Sequence, residues 1–580
     1  MKKSIVAIMA IGLVFGFSSA AQADKTWDAE VDEGGAPANN NWSTGANWVG
    51  DGPPLKDGTE AVTFADAGTA GEGVSTNTVD DSWSVKGLTF ANTTGKYHTT
   101  DLGANTLTVG GNMYVGYNVA GSDVTFKNGT LVVGEDGTPV DLIIGYGKVG
   151  ASLAVTGRFT GNLNTVTLGY GGRNEDASGV FDLRNATPTQ STFKATTLDI
   201  GYGVQDGVKF GTVNLNDTGG VIDALEVTDN LRLGHAVLTM KDKADVTIGY
   251  NGHLANLTVG HSDWGGGDFT TEFAPTGKFT AYLNNVVVAR GNSEHVATGC
   301  TGVFDLSGAT IPDDQSTFKA TTLQIGCAQK GYMFGTVNLN DTGGVIDALE
   351  VTDSLRLGHG VLTMKDKADV TIGKSETERG DLTVGYGYAA GTFTTTFAPT
   401  GEFTAYLNDV VVGYGKWSTD VTGVLDLRNA TISTFDVSGT MSIGLTDGGR
   451  GTVYLSSGDA YADSLLIGST STTGNLLQLE GTELMVGDDG ADTFDIVLGK
   501  GSILFNAYGS KLSVFGVEES VLNAMIDNEQ LTVGPGFTPD ELSVYCDGEY
   551  THVTLAVPVP EPAGLGLMGL ALLAIRRKRS

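Results

Sequence analysis

Short segments of alternating aliphatic and polar residues, each closing on a glycine, recur along most of the chain. Examples are "LTVG" at 107, "VTLG" at 166, "LRLG" at 231, "VTIG" at 246 and "LMVG" at 484. Alternation with a period of two is typical of a strand with one buried face, and the glycine allows the turn conformation that ends the strand. The segments recur on average about every 20 residues, which suits one coil of a parallel β-helix and predicts roughly 19 coils.

Longer internal repeats are superimposed on this pattern. Residues 211–249 recur at 335–373 with only two substitutions, and the stretch that begins at Phe273 recurs from Phe397. Such near-identity indicates a recent duplication, and a third, more divergent copy follows it. We therefore expect three repeats of about 120 residues inside one solenoid.

These patterns predict an all-β protein, a right-handed parallel β-helix (β-solenoid) with terminal caps and a short C-terminal hydrophobic helix. Caps are expected because the first and last coils of a solenoid would otherwise expose unpaired strand edges. The segment "VEESVLNAMIDNEQ" places Val517, Val521, Leu522, Met525 and Ile526 on one helical face, and "CDGE" after it indicates a hairpin turned at Asp547-Gly548. The predicted organisation is a signal peptide (1–23), an N-terminal cap (24–84), the β-helix (85–516) with repeats 157–276, 277–400 and 401–487, a C-terminal cap (517–556) and a sorting tail (557–580).

The N-terminus has the three parts of a secretory signal peptide. Lys2 and Lys3 precede an apolar run from Ile5 to Phe17, and the small residues Ala21 and Ala23 follow it. This pattern predicts cleavage after Ala23 and export of the remaining chain.

The C-terminus combines a Pro-Glu-Pro motif, a short apolar run and a basic cluster. These parts are Pro560, Glu561 and Pro562, then Ala563 to Ile575, then Arg576, Arg577, Lys578 and Arg579. As a helix the apolar run would reach only about 20 Å, against roughly 30 Å for a bilayer core. The basic cluster would stay on the cytoplasmic side and leave the prolines at the outer face, so we expect transient membrane insertion of the tail.

The order of these parts resembles the PEP-CTERM sorting signal of Gram-negative bacteria. The resemblance implies that an exosortase-type membrane enzyme acts on the tail. It also implies a location in the cell envelope, at the cell surface or in the extracellular matrix of a Gram-negative-type bacterium. A plain tail anchor is the alternative.

Near the other end, "NWSTGANW" with Trp42 and Trp48 resembles the opening segment of secreted autotransporter-like repeat proteins. The C-terminal run of amphipathic strands that a self-secreting autotransporter needs does not follow.

The charge of the chain restricts its partners. There are 34 Lys+Arg against 67 Asp+Glu, a formal net charge of −33. Such a body repels nucleic acid and anionic lipid, so no nucleic-acid partner is expected. The three cysteines form no metal pattern, and Cys300 and Cys327, about one coil apart, are expected either as free thiols or as a disulfide.

No catalytic constellation emerges from the sequence. Gly358-His359-Gly360 resembles a polygalacturonase motif, but the earlier copy has Ala236 in place of the second glycine, which favours a histidine in a surface turn. Residues 487–495 resemble a calcium-binding turn in which Asp489 and Asp492 would be ligands. No cofactor is expected, and calcium at these two aspartates is left open.

The sequence therefore predicts a non-enzymatic secreted or cell-surface protein with a structural or adhesive role, associated with the envelope or with an exopolysaccharide matrix. Near-identical repeats favour this role because they present one surface several times. The alternative is a polysaccharide-active β-helix enzyme, a lyase or hydrolase. A lateral cleft with three or more convergent charged groups would favour that alternative.

Overall fold

A computed structural model describes most of the chain between its two ends. The described residues are 24–28, 39–65, 74–91, 97–117, 122–135, 137–147, 150–170, 176–202, 209–262, 268–291, 299–328, 333–387, 392–415, 420–446, 448–456, 458–468, 473–487 and 496–556.

Strands make up 63% of the structure and helices 4%. The N-terminal strands are β1 (Lys25–Trp27), β2 (Ala61–Ala65), β3 (Val74–Thr78), β4 (Trp83–Val85), β5 (Gly87–Ala91), β6 (Tyr97–Asp101), β7 (Thr106–Val109), β8 (Met113–Tyr117), β9 (Ser122–Lys127), β10 (Thr130–Val133), β11 (Val140–Tyr146), β12 (Gly150–Val155), β13 (Arg158–Gly161), β14 (Leu163–Tyr170), β15 (Ala177–Asp182) and β16 (Thr187–Pro188). The central strands are β17 (Thr192–Ile200), β18 (Lys209–Asn214), β19 (Ala224–Leu233), β20 (His235–Thr239), β21 (Asp245–Ile248), β22 (Ala255–Ser262), β23 (Phe269–Phe273), β24 (Phe279–Ala281), β25 (Leu283–Gly291), β26 (Cys300–Asp305), β27 (Thr317–Ala328), β28 (Met333–Asn338), β29 (Ala348–Leu357), β30 (Gly360–Thr363), β31 (Asp369–Ile372) and β32 (Gly380–Gly387). The C-terminal elements are β33 (Phe393–Phe397), β34 (Glu402–Gly415), β35 (Val421–Asp426), β36 (Thr431–Ile443), β37 (Gly449–Ser456), β38 (Asp459–Ile467), β39 (Leu476–Glu480), β40 (Glu483–Val486), β41 (Ile496–Leu498), β42 (Ser502–Ala507), β43 (Lys511–Phe515), helix α1 (Glu519–Asp527), β44 (Leu531–Val533), β45 (Leu542–Cys546) and β46 (Tyr550–Leu555). Within the described ranges, short 3₁₀ turns lie at Gly45–Asn47, Asp313–Gln315 and Pro539–Glu541.

The strands stack coil upon coil into a parallel β-solenoid of about 14 turns, which confirms the predicted fold class. One face is a 24-stranded sheet, called here the long sheet. A second face runs along the molecule as consecutive sheets of seven, four and six strands. A third face of five strands (β4, β7, β10, β13 and β16) accompanies only the N-terminal coils.

Stacked aliphatic side chains fill the interior of the solenoid. On the long sheet, one such column joins residues that are Cα partners in successive strands and have no exposed surface. Its members are Leu231, Leu257, Val286, Leu323, Leu355, Leu382, Val410 and Met441. Burial of each such side chain contributes about 1.5–3 kcal/mol. The alternation in the sequence therefore produces a continuous core.

The number of turns is lower than the roughly 19 coils that the glycine-ending segments predict, because some coils contain two of these segments. The segment at 246–249 and the segment at 257–260 both pair with the same strand, β19. Ala224 pairs with Asp245, while Leu231 pairs with Leu257. Two segments that look like separate coils in the sequence thus lie end to end on one face.

Both ends of the parallel ladder are covered. At the N-terminus Trp27, Trp42 and Trp48 are fully buried and pack against Phe64 of the first coil. At the C-terminus, β46 pairs in antiparallel fashion with both β43 and β45, and the turn between β45 and β46 lies at 547–549. These contacts give the terminal strands partners and so reduce the number of open edges.

Helix α1 lies next to the last coils. Leu522 is fully buried, and Val517, Met525 and Ile526 pack against the core. Val521 is exposed, so its predicted place on the buried face is wrong. Helices in the described ranges are all too short or too polar to cross a bilayer. The predicted hydrophobic helix of the tail falls outside those ranges.

Candidate functional site

The residues that the sequence singles out for sorting, cleavage and calcium all lie outside the described ranges. They are Ala21 and Ala23, Asp489 and Asp492, Pro560, Glu561 and Pro562, and Arg576, Arg577, Lys578 and Arg579. The candidate site that the structure itself offers is on the outer face of the long sheet.

A row of polar side chains runs across this outer face from coil to coil. Asn230 Nδ2 donates to Thr197 Oγ1 at 3.2 Å, and Asn256 Nδ2 donates to Asn230 Oδ1 at 2.9 Å. Asn285 Nδ2 donates to Asn256 Oδ1 at 2.8 Å, and Thr322 Oγ1 donates to Asn285 Oδ1 at 2.7 Å. We call these five residues the amide ladder. It links five successive strands of the long sheet through side-chain hydrogen bonds.

Next to the amide ladder, the first repeat holds an ion pair. Arg232 Nε donates to Asp199 Oδ1 at 2.6 Å, and Arg232 Nη2 donates to Asp199 Oδ2 at 2.7 Å. The guanidinium carbon also lies 4.8 Å from the ring centroid of Tyr202. The arginine is thus held by a bidentate carboxylate and by an aromatic face.

The second repeat keeps this arginine and replaces both of its partners. Residues 191–202 and 316–327 differ at only two positions, where Asp199 becomes Gln324 and Tyr202 becomes Cys327. Gln324 and Arg356 are Cα partners in β27 and β29, as Asp199 and Arg232 are in β17 and β19. Arg356 is half-buried and makes no ion pair with any described residue.

A second arginine lies beside this position. Arg290 in β25 is the Cα partner of Cys327 in β27, and it is exposed and forms no ion pair within the described part of the chain. Cys327 Sγ in turn lies 3.7 Å from the backbone oxygen of Arg356. We call Arg290, Gln324, Cys327 and Arg356 the arginine patch. In a chain of net charge −33, it is a local concentration of positive charge.

The backbone that presents Arg290 is strained. Ala289 has φ of +57°, a left-handed conformation that costs a non-glycine residue about 1–2 kcal/mol. The corresponding residues of the neighbouring long-sheet strands are glycines, Gly260 and Gly326, also with positive φ. The methyl group of Ala289 is buried against Cys300 and Met333, which offsets part of that cost.

The cysteine of the patch is a neutral thiol. Burial raises the pKa of Cys327 to about 11, even though the charges of Arg356 and Arg290 act in the opposite direction. Cys327, Cys300 and Cys546 are all free. The disulfide between Cys300 and Cys327 that the sequence leaves open is therefore not formed.

The outward positions around Arg356 are uncharged. Gln324 and Thr383 are its Cα partners on the two sides, and the next position beyond Thr383 is Val411. The nearest acidic position on the adjoining row is Asp381, the Cα partner of Ser354. No ion pair joins Asp381 to either arginine of the described patch.

A groove of about 530 Å³ lies in the same coils, beside the amino-terminal half of β27. Four charged residues line it, Asp314, Lys319, Glu350 and Lys374. Lys319 pairs with Glu350 at 2.6 Å, and Lys374 pairs with Glu378 at 2.9 Å. Asp314 belongs to the 3₁₀ turn at Asp313–Gln315, for which the shorter segment of the first repeat has no counterpart.

The histidine of the polygalacturonase-like fragment is part of an aromatic stack. His359 lies 4.5 Å from Phe393 and 5.0 Å from Phe334, measured between ring centroids. The duplicated His235 lies between Phe269 and Phe210 in the same way. Burial lowers the pKa of both imidazoles, and both are half-buried. His359 lies in the turn between β29 and β30 and remains half-exposed, so this turn is a corner at which the imidazole also packs against phenylalanine rings.

In the residues that the structure describes, no group of three or more His, Cys, Asp or Glu side chains is placed to hold a metal ion. No protein-family model, curated protein or solved structure matches the chain.

The arginine patch is not among the sites predicted from the sequence. Its signal is the pair of substitutions, Asp199 to Gln324 and Tyr202 to Cys327, inside an otherwise unchanged segment.

Proposed function

We propose that the protein is an exported, non-enzymatic rod that works at the cell surface or in the extracellular matrix. It is sorted through its C-terminal tail by an exosortase-type enzyme, and it contacts an exopolysaccharide. The observation that carries the proposal is the repetition of one outer surface along a stacked solenoid, because such repetition favours multivalent contacts with a polymer.

The repeated surface consists of matching ion pairs. Lys194 and Glu226 lie 2.5 Å apart in the first repeat, and their counterparts Lys319 and Glu350 lie 2.6 Å apart in the second. A further pair recurs between the first and third repeats as Arg184 with Asp182 and Arg428 with Asp426. A polymer that binds one of these surfaces meets an equivalent surface further along the rod.

The ends of the sequence supply the proposed route. The signal peptide would direct residues after Ala23 out of the cytoplasm, and the motif Pro560-Glu561-Pro562 would be recognised at the outer face of the membrane. The basic residues Arg576 to Arg579 would hold the tail in place until it is processed.

The test is the intact mass of the protein recovered from its native host, together with fractionation of cells and matrix. We expect a chain that starts at Asp24, ends near Pro560 and is found in the surface or matrix fraction. A variant in which Pro560, Glu561 and Pro562 are all replaced by alanine is expected to keep Ser580 and stay with the membrane. A cytoplasmic wild-type chain that spans Met1 to Ser580 would contradict the proposal.

A second candidate function is a polysaccharide lyase or hydrolase. The groove beside β27 favours it, since four charged residues line that cleft. Two of them, Lys319 and Glu350, neutralise each other, and Lys374 is paired with Glu378. Incubation with acidic and neutral polysaccharides tests this candidate. If the wild type releases reducing ends and Asp314→Asn does not, the protein is an enzyme and the proposed structural role is wrong.

A further inference from the structure

The two near-identical repeats offer an internal comparison of one arginine in two settings. In the first repeat, the Arg232 guanidinium is occupied by the carboxylate of Asp199 and packs on Tyr202. In the second repeat, the same β-strand position holds Arg356, and the facing residue is Gln324. The second repeat thus has the arginine but lacks the carboxylate.

We propose that the arginine patch of the second repeat binds a carboxylate from outside the chain, that of a uronate in an acidic polysaccharide. The planar guanidinium of Arg356 matches a carboxylate in a bidentate arrangement, as Arg232 does with Asp199. The incoming carboxylate would pair with Arg356 as the carboxylate of Asp199 pairs with Arg232 in the first repeat. The Gln324 amide adds a donor where Asp199 has only acceptors.

Arg290 provides the second positive charge of the site. The Arg290 side chain is exposed. Cys327 lies between the two arginines: it is the Cα partner of Arg290, and its sulfur lies 3.7 Å from the backbone oxygen of Arg356. The exchange of Tyr202 for Cys327 also removes the ring that covers the guanidinium in the first repeat. Both changes between the repeats therefore remove a group that contacts the guanidinium in the first repeat.

The strongly negative body does not prevent this binding. At physiological ionic strength, charges more than about 8 Å apart are largely screened, so the groups nearest the ligand dominate. Asp381 is the acidic residue closest in register to the patch, and it opposes an incoming anion. A short uronate oligosaccharide is the best probe because it does not extend over the remaining acidic surface.

A saccharide fits this site better than an acidic peptide. The patch contains the amide of Gln324 beside its two arginines, and the half-buried hydroxyl of Thr322, at the end of the amide ladder, lies next to it. Hydroxyl groups of a sugar can bond to such side chains next to the carboxylate. The choice of a polysaccharide rests on the proposed matrix function, which this inference extends by naming the chemical class of the polymer.

The experiment titrates the full chain with a fluorescent trigalacturonate in the presence of EDTA, which excludes bridging by calcium. We expect saturable binding, and about a tenfold loss of affinity in Arg356→Gln, because one charge-assisted pair is lost. Arg290→Gln is expected to weaken binding by about threefold to tenfold. Asp381→Asn is expected to strengthen it.

The decisive variant is Gln324→Asp, which rebuilds in the second repeat the ion pair that the first repeat already contains. It is expected to fold and to lose binding about tenfold, because its own carboxylate occupies Arg356. Arg232→Gln is the matched control and is expected to leave binding unchanged. Undiminished binding by Gln324→Asp, or loss of binding in Arg232→Gln, would overturn the proposal.

The nature of the ligand is tested separately. A neutral trigalactoside and a glutamate-rich peptide are titrated under the same conditions, and equal affinity for either would overturn the assignment to a uronate saccharide. Failure of this site and failure of the proposed function are distinguishable. If the protein is found at the surface or in the matrix but Gln324→Asp binds the uronate as well as the wild type does, only the proposed site is rejected. If the protein binds the uronate at this site but is found only in the cytoplasm, only the matrix role is rejected.

Discussion

Arg232 holds the carboxylate of Asp199 with two hydrogen bonds of 2.6 and 2.7 Å across neighbouring strands of the long sheet. The Asp199 side chain is 10% exposed and the Arg232 side chain 32% exposed, so water screens the pair only in part. Asp199→Asn is expected to destabilise the first repeat by about 1–3 kcal/mol, because a charged hydrogen-bond partner is removed from a half-buried arginine. Amide exchange in β17 and β19 measures the loss locally.

The control for this prediction is an ion pair with similar geometry in a more exposed place. Arg184 and Asp182 lie 2.5 Å apart, but the arginine side chain is 59% exposed. Asp182→Asn is expected to cost less than about 1 kcal/mol, as is usual for surface pairs. Equal losses in the two variants would mean that burial does not strengthen the Asp199 pair.

The amide ladder predicts a difference between the repeats. Asn230 accepts from Asn256 and donates to Thr197, whereas its counterpart Ser354 is buried and its hydroxyl has no hydrogen-bond partner in the described structure. Asn230→Ser is expected to destabilise the protein by about 1–2 kcal/mol, since half-buried polar groups lose their hydrogen-bond partners.

The reciprocal variant Ser354→Asn is expected to stabilise by roughly 0.5–1 kcal/mol, because the new amide reaches the Thr322 hydroxyl. This gain in stability is smaller than the loss expected for Asn230→Ser. The residue beside position 354 is Asp381, where the first repeat has Asn256, and an aspartate cannot donate a hydrogen bond to the new amide oxygen. Urea unfolding of both variants beside the wild type measures the two effects. A stabilising Asn230→Ser would show that the ladder does not hold the coils together.

The sequence was sufficient for the fold because the information for it is local. Alternation and a closing glycine define each strand, and the buried column through Leu231, Leu257 and Val286 follows from stacking such strands in parallel. The number of turns did not follow, because the sequence does not say that the segments at 246 and 257 share one coil. That arrangement depends on the length of β19, which faces both.

The arginine patch was harder to predict because it depends on register between distant strands. Arg290 and Cys327 are 37 positions apart and become neighbours only through the pairing of β25 with β27. The residues of the tail form a contiguous motif, so sequence alone can suggest their role. A binding surface assembled from one outward residue per coil has no such contiguous pattern.

The histidines of the aromatic stacks predict a pH dependence of stability. Burial lowers the pKa of His235 and His359 below the ordinary value of 6.5, so the unfolded chain binds protons more readily than the folded chain. Stability is therefore expected to fall as pH decreases from about 6.5 toward the lowered folded pKa, and to be unaffected above that window.

The double variant His235→Phe/His359→Phe keeps the stacks with Phe269 and Phe393 and removes both titrating groups. Its melting temperature is expected to decline less than that of the wild type between pH 7 and pH 5. Thermal melts monitored by circular dichroism at several pH values test this. An identical decline in the two proteins would show that these histidines do not cause the pH dependence.

The tryptophans of the N-terminal cap give the last prediction. Trp48 is fully buried, its ring lies 5.0 Å from that of Trp27, and its Nε1 donates to the Trp42 backbone oxygen at 2.8 Å. Trp48→Ala removes these contacts and is expected to cost about 3–5 kcal/mol in the first coils. Since each coil of a solenoid contacts only its neighbours, exchange in β2 is expected to accelerate far more than exchange in β36. Val49→Ala changes an adjacent side chain that is 52% exposed and is expected to leave both rates unchanged. Equal acceleration in β2 and β36 would show that the cap stabilises the whole rod and not its first coils.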